Sequence, residues 1–188
     1  MHAKEQGMSN SAVHTTEASQ NGSCLRLRFE HLTAVTTLPD LPPALDRWNS
    51  ILSAFSLVTR GTPPAAGLLD VHGFAPLVID LAVPANVLAP LQMGVNGILE
   101  SLGELSALAA KIEELKQFHV RDEILRALEE QIRENRHEAT AKAAEDIKQQ
   151  YGCDEDTRNN VHKALMTVAK FIEDGGHIEV AAPPATSS

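Results

Sequence analysis

Leu25-Arg26-Leu27-Arg28-Phe29 alternates apolar and polar side chains, the period of a strand with one face on a core. Leu25, Leu27 and Phe29 are therefore expected inward, with Arg26 and Arg28 outward. In Leu38-Pro39-Asp40-Leu41-Pro42-Pro43, Asp40 suits an N-cap and the prolines suit a first helical turn. Leu45, Trp48, Leu52 and Phe55 then recur at three- and four-residue spacing, which predicts a helix over residues 43–59 with one apolar stripe. The runs 68–72 and 77–83, joined through Gly73 and Pro76, predict an antiparallel hairpin. Because 77–83 is apolar on both faces apart from Asp80, it is expected inside the sheet and not at its edge.

From Ala85 the period changes from two to seven. Leu88, Leu91, Val95, Ile98, Leu102, Leu105, Ala109 and Ile112 recur at alternating steps of three and four, a narrow two-per-heptad seam. Gly94, Gly97 and Gly103 weaken the local helix but admit a close neighbouring backbone. Pro90 removes a hydrogen bond, so the helix is expected either to bend there or to begin near Ala89. A second long helix is predicted over 123–150, with the stripe Ile124, Leu128, Ile132, Ala139, Ala143 and Ile147. Its later half, ringed by Arg133, Glu134, Arg136, His137 and Glu138, is expected to be the more exposed. Asp154-Glu155-Asp156-Thr157 opens a third helix with the stripe Val161, Leu165, Val168 and Ile172. Gly175-Gly176 stops it, and residues 177–180 alternate as a last strand.

These elements predict an α+β fold: a small antiparallel or mixed sheet (strands near 25–29, 68–72, 77–83 and 177–180), a long antiparallel helical hairpin over 85–150, and two further helices. One domain is expected over residues 24–180, between a flexible leader (1–23), where Met1 or Met8 can serve as the start, and a flexible tail (181–188).

Composition narrows the function more than it names it. The 188 residues are 43% apolar, which excludes a wholly disordered chain. Lys plus Arg number 16 against 25 Asp plus Glu, a net charge of −9 spread along the chain, so no nucleic-acid partner is expected and a basic partner is easier to accommodate than an acidic one. With only Cys24 and Cys153, far apart and outside any Cys/His ladder, a reduced, cytoplasmic setting is the expectation, and an α+β module with a helical hairpin is of bacterial style. From Gly61 to Leu99 only Asp70 and Asp80 are charged. The uncharged run 81–99 approaches a bilayer's thickness, but Pro84, Pro90, Gly94, Gly97, Asn86, Gln92 and Asn96 interrupt it and no Lys or Arg cluster flanks it, which argues against a membrane span.

Catalytic motifs are scarce. Neither GxxxxGK nor GxGxxG occurs, and His137-Glu138 has Ala141 where a zinc-protease helix needs its second His. His119 with Asp122 reads as a helix junction with a cap, and Asp154, Asp156 and Asn160 lack the Gly and closing Glu of a calcium loop. Cys153 and His162 could form a nucleophile and base, but Asp154, Glu155 and Asp156 oppose a thiolate. Asp80 on an apolar strand needs a partner, for which Arg26 or Arg28 is the candidate. No catalytic residue, metal or cofactor is therefore assigned. The expected function is a non-enzymatic interaction or assembly module that self-associates or binds a protein partner through the seam residues Leu88, Leu91, Val95, Ile98, Leu102 and Leu105, through an exposed sheet edge, or both. Two alternatives stay open: an enzyme whose site no motif reveals, with Asp80, His119, Asp122, His137 and Glu138 as candidates, and peripheral membrane association through residues 81–99.

Overall fold

A computed structural model describes residues 22–29, 41–60, 67–73, 76–117 and 122–181, and the chain order is βαββαααβ. The alternating N-terminal run becomes β1 (Gly22–Phe29), followed by α1 (Leu41–Val58), β2 (Gly67–His72), β3 (Leu77–Pro84), α2 (Ala85–Gln117), α3 (Asp122–Tyr151), α4 (Glu155–Glu173) and β4 (Gly176–Ala181). The sheet is antiparallel throughout, in the order β2-β3-β1-β4. The 68–72/77–83 pair is the expected hairpin, and β3 lies inside the sheet as its two apolar faces require.

Register places Leu25 opposite Leu81 and Leu27 opposite Ile79, and these side chains are buried with Phe29 and Val83 in one apolar cluster shared with all four helices. The alternate positions point to the other face. There Arg26 lies opposite Asp80 on one side and Glu179 on the other. Arg26 donates from Nε to Asp80 Oδ1 at 2.9 Å and from Nη2 to Oδ2 at 2.8 Å, the two-point geometry of guanidinium and carboxylate. Asp80 is 2% exposed, so this pair is what permits a carboxylate within an apolar strand. Of the two sequence candidates, Arg26 is the partner; Arg28 is exposed, opposite Val78 and His177.

α2 begins at Ala85, directly after Pro84 and before the glycines that disfavour it, and carries Pro90 as its sixth residue. Its glycines mark close approach. A Cβ on Gly97 would lie 3.2 Å from that of Ala143, and one on Gly94 would meet Ile147 Cδ1 at 3.2 Å and Leu165 Cδ2 at 2.7 Å. Since Gly94 meets Ile147 and Gly97 meets Ala143, positions rise on α2 as they fall on α3, and the two helices run antiparallel. α3 and α4 are also antiparallel, tied by Arg136 to Glu173 (2.6 Å), Thr140 Oγ1 to Met166 Sδ (3.0 Å), Arg158 to Glu145 (3.5 Å) and Lys148 to Glu155 (2.7 Å).

The expected exposure along α3 is reversed. Its buried residues are Ala139, Thr140, Ala143, Ala144 and Ile147, while Ile124 is exposed and Leu128 and Ile132 are half-buried. The later half is wedged between α2 and α4, which is why its inward residues are small; the charges there occupy the remaining faces. Within residues 81–99 the chain passes from β3 into α2, and Leu81, Val83, Leu88, Leu91, Val95 and Ile98 all belong to the core. Among the described residues no helix is long and apolar enough to cross a membrane.

Candidate functional site

α1 and α4 pack on the same side of the sheet but leave a cleft between them. Its floor is aromatic because three chain-distant apolar positions converge: Phe29 from β1, Trp48 from α1 and Phe171 from α4. Phe171 meets Phe29 with ring centroids 5.0 Å apart at 74°, and Trp48 at 5.3 Å and 89°, the edge-to-face arrangement that ring quadrupoles favour. Gly176 completes the floor, its missing side chain leaving room for the Phe171 ring. Above this floor is a cavity of about 500 Å³, also lined by Ile51, Met166, Arg47, Arg136, Thr167, Lys170 and Asp174. A second hollow of about 440 Å³ shares Arg47, Ile51 and Thr167 with the first and extends past Ser50, Ser53, Leu57 and Lys163. The two form one groove.

Helical spacing explains the lining. Lys163, Thr167, Lys170 and Asp174 recur at three- and four-residue steps along one face at and just beyond α4. Arg47, Ile51, Ala54 and Leu57 do the same on α1. Among the described residues, four cations, Arg47, Arg136, Lys163 and Lys170, thus line the groove against the single carboxylate of Asp174, in a chain whose net charge is −9. Arg136 is held by Glu173 and Lys170 by Asp174 at 3.0 Å. Among the described residues, Arg47 and Lys163 have no acidic partner. The hydroxyls nearby are engaged by backbone: Ser50 donates to the Asp46 carbonyl at 2.9 Å and Thr167 to that of Lys163 at 3.2 Å. The groove thus sets cationic side chains beside apolar and aromatic ones.

The residues singled out in the sequence lie elsewhere. Leu88, Leu91, Val95 and Ile98 are at most 6% exposed and pack within the chain, while the side chains of Leu102 and Leu105 lie outside the described residues, as does His119. Asp122 is the first residue of α3, where a carboxylate meets the positive end of the helix. Asp154 caps α4, accepting from the Thr157 N–H at 2.8 Å, and this hydrogen bond holds its carboxyl below the ordinary range. Cys24 and Cys153 are both free thiols, each pushed up chiefly by burial, which disfavours the thiolate a Cys153 nucleophile would need. None of Asp80, Asp122, His137 and Glu138 lines the groove. No group of three or more His, Cys, Asp or Glu among the described residues is arranged to hold a metal ion.

One pairing was not legible in the sequence. His137 of α3 and His162 of α4 meet edge to face with centroids 4.8 Å apart, and His162 Nε2 is buried without a hydrogen-bond partner. Desolvation first, then His137 and Arg158, hold the His162 imidazole below its ordinary value, against a smaller opposing effect from the His137 backbone. The unfolded chain therefore takes up this proton at higher pH than the folded one, so stability is full above about pH 6.5 and declines as the pH falls through the interval below it. Urea midpoints should fall between pH 7.5 and pH 5.5, and should fall less in His162→Gln. Equal losses in both proteins would remove His162 as the cause.

The fold and the groove together define an α+β protein with a cationic, aromatic-floored cleft between two helices. Comparison with protein-family models, curated proteins and solved structures found no match.

Proposed function

We propose that this protein is a non-enzymatic interaction module that seats an acidic segment of a protein partner, anchored by apolar side chains, in the α1–α4 cleft. The observation that carries this reading is the concentration of Arg47, Arg136, Lys163 and Lys170 above Phe29, Trp48 and Phe171 in an otherwise acidic chain. The aromatic floor offers a desolvated pocket for a bulky anchor, and the cationic rim steers and aligns the carboxylates around it. Net acidity repels anions elsewhere on the surface, so the local field of the cleft provides the selectivity. The sequence-level preference for a basic partner thereby gives way to an acidic one, because a partner meets the local charge before the total.

A photoreactive amino acid at Leu57, which is exposed at the rim, tests this reading directly. Crosslinking in the native cell should capture a segment in which Asp or Glu flank apolar residues. A synthetic peptide of that segment should alter the emission of Trp48, the chain's single tryptophan. Arg47→Glu with Lys163→Glu should weaken that binding at least tenfold, or about 1.4 kcal/mol, without a change in thermal midpoint. Capture of a basic or uncharged segment, or binding indifferent to the double reversal, would overturn the proposal.

A further inference from the structure

A second surface, on the opposite side of β1 from the hairpin, carries an inference independent of the cleft. β4 pairs with β1 along one edge, and its other edge has no partner strand among the described residues. Sheet edges are ordinarily blunted by bulges, Lys or Pro. The far edge follows that rule: β2 breaks register between Leu68 and Asp70. β4 does not, since its six residues, Gly176 to Ala181, pair with β1 in unbroken register. Beside it, on the helix side of the sheet, Val180 and Leu99 are 45% and 47% exposed and border a small hollow with Val95 and Ile178 that no charged side chain lines.

The order of side chains along this strand is self-complementary. If two β4 strands pair antiparallel with Ile178 on the twofold axis, His177 of each copy faces Glu179 of the partner subunit, which sets an imidazole beside a carboxylate on either side of the axis. Gly176 then faces Val180 of the partner subunit, which brings that exposed apolar side chain beside the Phe171 ring that covers Gly176. Moving the axis to residue 177 sets imidazole against imidazole, and moving it to 179 sets carboxylate against carboxylate, the arrangement cross-strand pairs disfavour. We infer that a second copy of this chain pairs with β4 about this axis, giving a twofold dimer with one continuous eight-stranded antiparallel sheet.

Sedimentation velocity of the full chain from 1 to 200 μM, concentrations chosen to span about micromolar to sub-millimolar affinities, tests the inference. The wild type should shift with concentration from the 20.3 kDa chain to twice that mass. His177→Glu places carboxylates opposite carboxylates and should weaken the dimer at least tenfold, while the exchange His177→Glu with Glu179→His restores the pairing and should recover it. Val180→Lys, an exposed change, should also give monomer with far-UV circular dichroism intact. A wild type that stays at 20.3 kDa throughout overturns the inference. So does a dimer that both His177→Glu and Val180→Lys leave unchanged.

Discussion

Replacing Gly176 by valine is expected to lower stability by about 3 kcal/mol, through overpacking and lost ring contacts. The backbone at Gly176 is not in the left-handed region, so the cause is steric. A Cβ there would overlap Cζ, Cε1 and Cε2 of the Phe171 ring, and that ring is held from two other sides by Phe29 and Trp48. It can yield only by giving up those edge-to-face contacts, or β4 must lift from β1, where Gly176 lies opposite Phe29. Either response disturbs the cleft floor. For a chain of this length the thermal midpoint should fall by roughly 6–12 °C, with a change in Trp48 emission in the folded state. A variant with wild-type midpoint and emission would mean that the ring has somewhere else to go.

Ile98→Ala is expected to cost about 2–5 kcal/mol of folding stability, since a buried aliphatic side chain is removed and its neighbours cannot fully collapse. Ile98 is 0% exposed and belongs to the cluster in which strands and helices meet. The neighbouring helix is already in close contact at Gly97, whose position faces Ala143, so little further approach is available to fill the space. This substitution also separates two roles for the heptad seam. As a core residue, Ile98 governs the urea midpoint of the monomer. As a contact to another protein, it would leave the monomer's midpoint unchanged and weaken only association.

The seam illustrates what periodicity can and cannot convey. Two apolar residues per heptad identify a helix with a narrow buried face, and α2 has one. The same spacing serves a helix from another subunit equally well, because a side chain registers the shape and polarity of its neighbour and not the chain that supplies it. The alanines of α3 raise the same issue. Surrounded by charge in one dimension, they suggest exposure; lodged between α2 and α4, they are the buried half, since helices that approach closely select small residues on the facing side and leave the other faces to solvent.

Local rules carry further where neighbours in sequence are neighbours in space. The β2–β3 hairpin, the inward Leu25, Leu27 and Phe29, the Asp154 cap and the partnership of Asp80 with one of two arginines each follow from a few adjacent residues or from the cost of burying a charge. The groove does not. Its floor needs Phe29, Trp48 and Phe171, and its rim needs cations from α1, α3 and α4. Lys163 and Lys170 could be seen in the sequence to share a helix face, and Trp48 to be the only tryptophan, but nothing in either segment told that they border one cavity.

By itself, then, the sequence determined the α+β class, the kind and order of the elements, which face of the first strand turns inward, and the need for a partner at Asp80. Those properties depend on short-range periodicity and on the cost of burying polar groups. Tertiary structure alone decided that the heptad residues Leu88 to Ile98 are core, that His137 meets His162, and that an acidic chain carries a cationic cleft. Each of these is a meeting of side chains from separate elements, and their relative positions are set by packing the whole core at once.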